Sequence, residues 1–222
     1  INIFPNLECK VDICQNAIDL AQTLGIETPK VAILSAVETI NPGIPSTLDA
    51  AALCKMADRG QITGGILDGP LAFDNAINSD AARTKGIISP VAGQADILLV
   101  PDIEAGNMLA KNLSFLANAD AAGIVLGARV PIILTSRADS VRTRMASCAA
   151  SESCTTPGSG PSSRMEPAST YGTFEVTSAC MIPLRITPAR TAPSMEPTAR
   201  TRLIARICSP WPPSVGCPVL LM

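Results

Sequence analysis

The chain has 222 residues, of which 47% are hydrophobic and only 3% aromatic, so its core must be built from Ala, Ile, Leu and Val. The net charge of −2 supplies no overall basic field for nucleic acid or an anionic membrane, and no run of about 18 uncharged apolar residues marks a membrane-spanning helix. Histidine is absent, which excludes Ser-His and Cys-His nucleophile pairs and any histidine-ligated metal site.

The chain begins Ile1-Asn2-Ile3-Phe4-Pro5, with no initiator Met and no basic region ahead of an apolar run. The expectation is a cytoplasmic protein whose true start has been cut away. Residues 11–24 place Val11, Cys14, Ile18 and Ala21 on one helical stripe, with Ile13, Ala17, Leu20 and Leu24 beside it. Gly25 is suited to end that helix in a left-handed cap. Val31-Ala32-Ile33-Leu34 is a continuous apolar run, the mark of a strand covered on both faces. After Pro45 a helix is expected, capped by Ser46, with Asp49 in its first turn and Gly60 at its end.

Gly64-Gly65-Ile66-Leu67 reads as a strand stopping at a sharp turn, Asp68-Gly69-Pro70. A strand over 95–100 leads to Pro101-Asp102 and a helix with Met108, Leu109, Leu113 and Leu116 inward. A further strand over 130–134 precedes Thr135-Ser136-Arg137 and a helix capped by Asp139. Alternating strands and helices imply an α/β fold, a parallel sheet layered with helices. Ser35, Asp68, Asp102 and Ser136-Arg137 fall where strands end, and in open α/β sheets the ligand crevice lies outside the carboxyl ends of the strands.

Beyond residue 150 the composition changes. All eleven Asp lie at or before Asp139 and all five Lys at or before Lys111, whereas eleven of the nineteen Pro fall in the tail. Residues 1–150 carry 11 basic and 15 acidic side chains (net −4), and residues 151–222 carry 6 and 4 (net +2). Pro at that density interrupts helix and ladder bonding alike. The chain therefore divides into a 1–150 domain and a 151–222 Pro/Ser/Thr/Arg-rich tail, expected to be disordered or translated out of frame and to carry no function. The eight cysteines are irregularly spaced without a C-x-x-C pair, and Cys14 and Cys54, within apolar helical patterns, read as reduced buried thiols.

Ser136-Arg137 between a strand and a helix offers free N–H groups and a planar guanidinium to an anion. Read alone, it serves equally as a helix cap with a solvated Arg. Asp68-Gly69-Pro70 with Asp74, Ser89-Pro90-Val91-Ala92-Gly93, and Asp102 with Asn107 are likewise turns or caps when taken singly. In order they are specific. The run Asp68-Gly69-Pro70-Leu71-Ala72-Phe73-Asp74, Ser89-Pro90-Val91-Ala92-Gly93, Pro101-Asp102-Ile103-Glu104-Ala105-Gly106-Asn107 and Ser136-Arg137 resembles the phosphate acetyl/butyryl transferase family over residues 1–150. Ser35-Ala36-Val37-Glu38-Thr39 and residues 50–57 look closer to its butyryltransferase-like branch, which includes the transferase part of bifunctional enoyl-CoA hydratase/phosphate acetyltransferase proteins.

The resemblance implies α/β/α layers of the isocitrate-dehydrogenase-like kind, here truncated to the C-terminal lobe with an irregular tail. It implies a phosphate acyltransferase that moves an acetyl, butyryl or similar short acyl group between coenzyme A and phosphate, this chain being an inactive fragment. By the same analogy Ser136 and Arg137 are catalytic, and Asp68, Ser89, Gly93, Asp102, Asn107 and Gly127 bind substrate. No metal or permanently bound cofactor is implied. The partners are acyl-CoA, CoA, phosphate and acyl phosphate, with no nucleic acid or membrane, and the intact family forms homo-oligomers. Thr143 stands where the acetyltransferases resembled carry an Asp, leaving the general base unassigned. The alternative is a non-catalytic acyl-CoA-sensing domain like those appended to malic enzymes.

Overall fold

The computed structural model describes residues 2–117, 119–128, 130, 132–153, 178–184 and 219–221. Helix α1 (Leu7–Thr23) starts at Asn6, whose side chain accepts a hydrogen bond from the Cys9 N–H at 2.9 Å. It ends before Gly25, at φ 98°. Strand β1 (Lys30–Leu34) follows. It is buried on both faces: Val31 and Ile33 join a core with Ile13, Ile18 and Leu20 of α1, and Ala32 and Leu34 join a second core on the other side. Each fully buried Ile or Leu contributes about 1.5–3 kcal/mol.

Helix α2 (Pro45–Asp58) packs Ala50 and Leu53 into the first core. Its N-cap is Ile44, with no side-chain cap bond, and Pro45 at the first helical position needs no N–H there. Ser46 is therefore not the cap; its hydroxyl meets Ser35 Oγ at 2.8 Å instead. Asp49, one residue past the first turn, pairs with the buried Lys10 of α1 at 2.6 Å. Strand β2 (Ile66–Leu71) runs through the Asp68-Gly69-Pro70 segment instead of stopping at it. Lying at the edge of the sheet, it tolerates a proline that donates nothing to a ladder.

Two short helices not read from the sequence, α3 (Phe73–Ile77) and α4 (Ser79–Thr84), cover the second core. They lead to β3 (Ile97–Leu99) and to α5 (Ile103–Phe115). The inward residues of α5 are Gly106 and Ala110, with Leu109 half-buried against the second core. Met108 and Leu116, expected inside, are 63% and 81% exposed. Apolar character alone predicts the other stripe, whereas close packing on the sheet selects the small residues Gly106 and Ala110.

Strand β4 (Asp120–Leu126) was also missed, because its Asp-Ala-Ala-Gly start hides a buried run of Ala122, Ile124 and Val125. The strand expected over 130–134 contracts to β5 (Ile132–Ile133), antiparallel to β4. Helix α6 (Val141–Ser153) starts after Ser140, whose Oγ accepts from the Thr143 N–H at 3.1 Å. Asp139 is thus not its cap and accepts from the Ser136 N–H instead.

Most of the tail lies outside the described residues. Two stretches of it are strands, β6 (Ser178–Leu184) and β7 (Val219–Leu221), although no regular element was read there. Short apolar runs such as these disappear in a composition averaged over Pro-rich sequence. The sheet order is β2-β1-β3-β7-β6-β4-β5. Strands β2, β1, β3 and β7 are parallel, and β6 is antiparallel to both β7 and β4. Two reversals leave β4 running with β1, while β5 runs against it.

Candidate functional site

Register fixes which candidate residues share an edge. Leu99 lies opposite Leu221, Leu221 opposite Cys180, and Cys180 opposite Ile124. Asp102 and Gly127 each follow that row by three residues, so both leave the sheet at its carboxyl edge. Asp102 accepts a hydrogen bond from the Ala105 N–H at 2.8 Å and is the N-cap of α5, as its position after a strand suggested. Asn107 is exposed one turn further along. Gly127, at φ 80°, turns the chain where an L-residue would be strained. Ser35 stands at the same edge, its N–H given to the Leu71 carbonyl at 2.9 Å.

A polar cluster lies beside Ser35. Lys85 Nζ reaches Glu38 Oε1 at 2.6 Å and Asp74 Oδ2 at 2.9 Å. The fully buried Asn75 donates through Nδ2 to the same Glu38 oxygen at 2.6 Å, while its Oδ1 has no partner among the described residues. The Lys85 hydrogen bonds hold both carboxyls below the usual carboxylate range. The hydrogen bonds it donates, to Glu38 first and then to Asp74, raise the Lys85 amine. This clip ties the loop after β1 to α3 and to the end of α4. Glu38 and Asp74 sat in motifs of the sequence, but Lys85, 47 residues from Glu38, carried no signal.

Ser89 and Gly93 precede β3 and lie on its amino side. Ser89 Oγ accepts from the N–H groups of Val91 and Ala92 at 3.0 and 3.1 Å. Gly93 gives its N–H to the Asn75 carbonyl at 2.7 Å. A Cβ on Gly93 would lie 2.5 Å from Ser79 Cα, so the turn rests directly on the α3–α4 junction. Beyond it, Asp96 is fastened to the start of β1, where its Oδ2 accepts the Lys30 N–H at 2.9 Å.

Asp68 pairs with Ala32 inside β2, and its Oδ1 accepts the Gly69 N–H at 2.9 Å. Burial, with the Asp68 and Asp58 charges, pushes the Cys54 thiol up to about 12. Burial also pushes Cys14 to about 12, with a smaller contribution from Cys54. Neither forms a thiolate at neutral pH; Cys14 is buried as its pattern suggested, whereas Cys54 is only half-buried. Among the described residues no group of three or more His, Cys, Asp and Glu side chains is placed to hold a metal ion.

Ser136 and Arg137 lie elsewhere. Leu134 gives its N–H to the Gly123 carbonyl at 2.9 Å, and the chain then continues toward the amino end of β4. The turn is closed by the Asp139 N–H donating to the Ser136 carbonyl at 3.1 Å and by the Ser136 N–H donating to the Asp139 carboxylate. Arg137 is exposed and has no ion pair among the described residues. Because β5 runs antiparallel, the chain heads away from the edge of Asp102 and Gly127 before it turns off the sheet at Leu134. Strands β3 and β5 are also four spacings of about 4.8 Å apart, or about 19 Å. The described residues therefore do not gather all the candidates into one crevice: Ser35, Asp102 and Gly127 share one edge, and Ser136 and Arg137 follow a strand that runs away from it.

Among the described residues no helix is long and apolar enough to cross a membrane. Residues 1–151 match the family model described as phosphate acetyl/butaryl transferase. Over 149 residues the chain is 76% identical to a phosphate acetyltransferase of Rhizobium meliloti, covering 67% of this chain and 47% of that protein. It is 52% identical over 148 residues to a phosphate butyryltransferase of Clostridium acetobutylicum, covering 67% and 49%. A branched-chain phosphotransacylase from Enterococcus faecalis superposes with a TM-score of 0.63 at 37% identity, covering 69% of this chain and 55% of that one. The chain thus spans about half the length of the curated relatives it matches. By the extent of the family match, the chain belongs to the phosphate acetyl/butaryl transferase family.

Proposed function

We propose that the protein is the C-terminal part of a phosphate acyltransferase, which exchanges a short acyl group between coenzyme A and inorganic phosphate. The observation that carries this reading is the 76% identity over 149 residues to a protein named phosphate acetyltransferase. In the reaction the CoA thiolate attacks the carbonyl of an acyl phosphate; a C–S bond forms, the bond between the acyl carbon and the bridging oxygen breaks, and phosphate leaves with that oxygen. Arg137 binds phosphate oxygens through its planar donors, and Ser136 hydrogen-bonds the reacting carbonyl or phosphate. On the family resemblance Asp68, Ser89, Gly93, Asp102, Asn107 and Gly127 are assigned to substrate binding, although they are spread over both sides of the sheet.

The exposure of Arg137 on a turn fastened by Ser136 and Asp139 supports this assignment. A carboxylate base is not assigned. Thr143 Oγ1 is engaged with Ser140 Oγ at 3.0 Å. The reading places the protein in the cytoplasm as a homo-oligomer, on the family resemblance. It also assigns catalysis to both lobes together, with this chain inactive alone.

The test measures phosphate-dependent release of the CoA thiol from acetyl-CoA and butyryl-CoA. It is run on the 222-residue chain and on a form completed with the remainder of the Rhizobium meliloti relative. Turnover by the completed form, lost in Arg137→Ala, is the expected result. Absence of turnover with both thioesters overturns the function, and turnover by the chain alone overturns the need for a second lobe.

A further inference from the structure

Where β5 parts from β4 the hydrogen bonding is one-sided. Directly opposed residues of an antiparallel pair exchange both N–H···O bonds or neither. Leu134 gives its N–H to the Gly123 carbonyl at 2.9 Å, but the Gly123 N–H goes to Ser147 Oγ of α6 at 3.0 Å. The Ser147 hydroxyl donates in turn to the Thr143 carbonyl at 2.9 Å, and the side chain is fully buried. A Cβ on Gly123 would lie 2.4 Å from the Leu134 carbonyl oxygen, a backbone atom with no rotamer to escape into. A hydroxyl from the following helix thus takes the N–H that a continuing ladder would use, and the chain turns away at Leu134, two residues before Ser136.

The same hydroxyl fixes the far end of the loop. Thr143, its acceptor, gives its own N–H to Ser140 Oγ at 3.1 Å, where α6 begins. Residues 134–140 are therefore held at entry through Gly123 and at exit through Thr143, with Ser147 common to both. We propose that Ser147 and Gly123 are positioning residues that set the location of the Ser136–Arg137 turn, and with it the grip on phosphate. This rests on the acyltransferase reading above, in which Arg137 binds phosphate. Neither residue touches substrate; both act through the backbone of residues 134–140.

Ser147→Thr and Ser147→Val have the same shape and differ in the hydroxyl, so together they isolate the pin from packing. In the 222-residue chain, amide hydrogen exchange at Ser136 and Asp139 is expected to accelerate about tenfold or more in Ser147→Val and in Gly123→Ala. Ser147→Thr stays close to the parent, and the α1 amides are unchanged in all three. In the completed protein, Ser147→Val is expected to raise the KM for phosphate about tenfold. The KM for acetyl-CoA stays within about twofold, and Ser147→Thr restores the phosphate value. Where Ser147→Val does not fold, Ser147→Ala takes its place. Unchanged exchange at Ser136 and Asp139 overturns the pin. Faster exchange with an unchanged phosphate KM overturns its role in binding. If the parent shows no turnover, the functional reading falls by itself, and the exchange measurements alone decide the pin.

Discussion

Gly93 and Gly86 both hold positive φ, 79° and 67°, yet a methyl group added at each meets different surroundings. At Gly86 nothing lies within 4 Å, and Gly86→Ala is expected to cost only the left-handed strain, about 1–2 kcal/mol. At Gly93 the same strain is joined by contact with Ser79 Cα at 2.5 Å, which is backbone and can yield only if α4 shifts. Gly93→Ala is expected to cost about 3 kcal/mol or more. Urea midpoints of the two variants decide this, and equal losses would show that the turn at Ser89–Gly93 is not seated on α4. The thiols give a second residue-scale prediction. With Cys14 and Cys54 both raised to about 12 by burial, neither should react with a thiol-directed disulfide reagent at pH 8 until denaturant is added. Mass spectrometry of the labelled peptides identifies which cysteines react. Single residues were legible from the sequence where their bond is local, as at Asp102, which caps the helix three residues on. Ser46 and Asp139 looked like caps for the same reason, but their partners are Ser35, eleven residues away, and the Ser136 N–H.

At the scale of elements, the clip between Glu38, Asp74 and Lys85 makes the loop after β1 sensitive to pH. Both carboxyls have folded pKa values below their ordinary ones, so the stabilisation they bring is present above about pH 4 and is lost as pH falls through the folded values. Lys85 is shifted upward, so its share is complete below about pH 10 and is lost as pH rises through its folded value. Protection of the amides in residues 36–40, taken relative to the intrinsic exchange rate at each pH, is expected to hold between these limits and to fall on the acid side. Lys85→Met should flatten that acid limb and leave α1 unaffected; an unaltered acid limb would show that other contacts hold the loop. Elements were readable where burial covers both faces, as in β1 and β3, whose apolar runs are continuous. They were hidden in β4, where Gly123 and two alanines make room for Leu134 and α6. The face of α5 was misread because Met108 and Leu116 are apolar without being buried. The sequence motifs located Asp68, Ser89, Gly93, Asp102, Asn107, Ser136 and Arg137 along the chain, but the antiparallel course of β5, which carries the chain to Ser136 away from the edge of Asp102, depends on strand pairing that no local pattern records.

For the whole molecule, the decisive feature is that β6 and β7 stand between β3 and β4. Among the described residues the β2-β1-β3 half of the sheet meets the β4-β5 half in backbone hydrogen bonding only through these two strands, paired at seven positions from β6 to β4 and three from β7 to β3. Helix α1 also touches the β4 side, and Ala122 and Ile124 share its core. Removal of everything after Ser153 would therefore keep the contact of α1 with β4 but strip α1 and α5 of their contacts with β6 and β7, open the middle of the sheet and expose two unpaired strand edges. At a net 0.5–1.5 kcal/mol for each hydrogen bond, losing roughly ten such positions approaches the 5–15 kcal/mol that a domain has in total. The chain ending at Ser153 is expected to unfold at clearly lower urea concentration than the 222-residue chain, or to associate through the opened edges. Urea titration with sedimentation measurement checks both. Equal midpoints and a monomeric truncated chain would mean that the helical core alone holds the two halves together and that the tail strands add no stability.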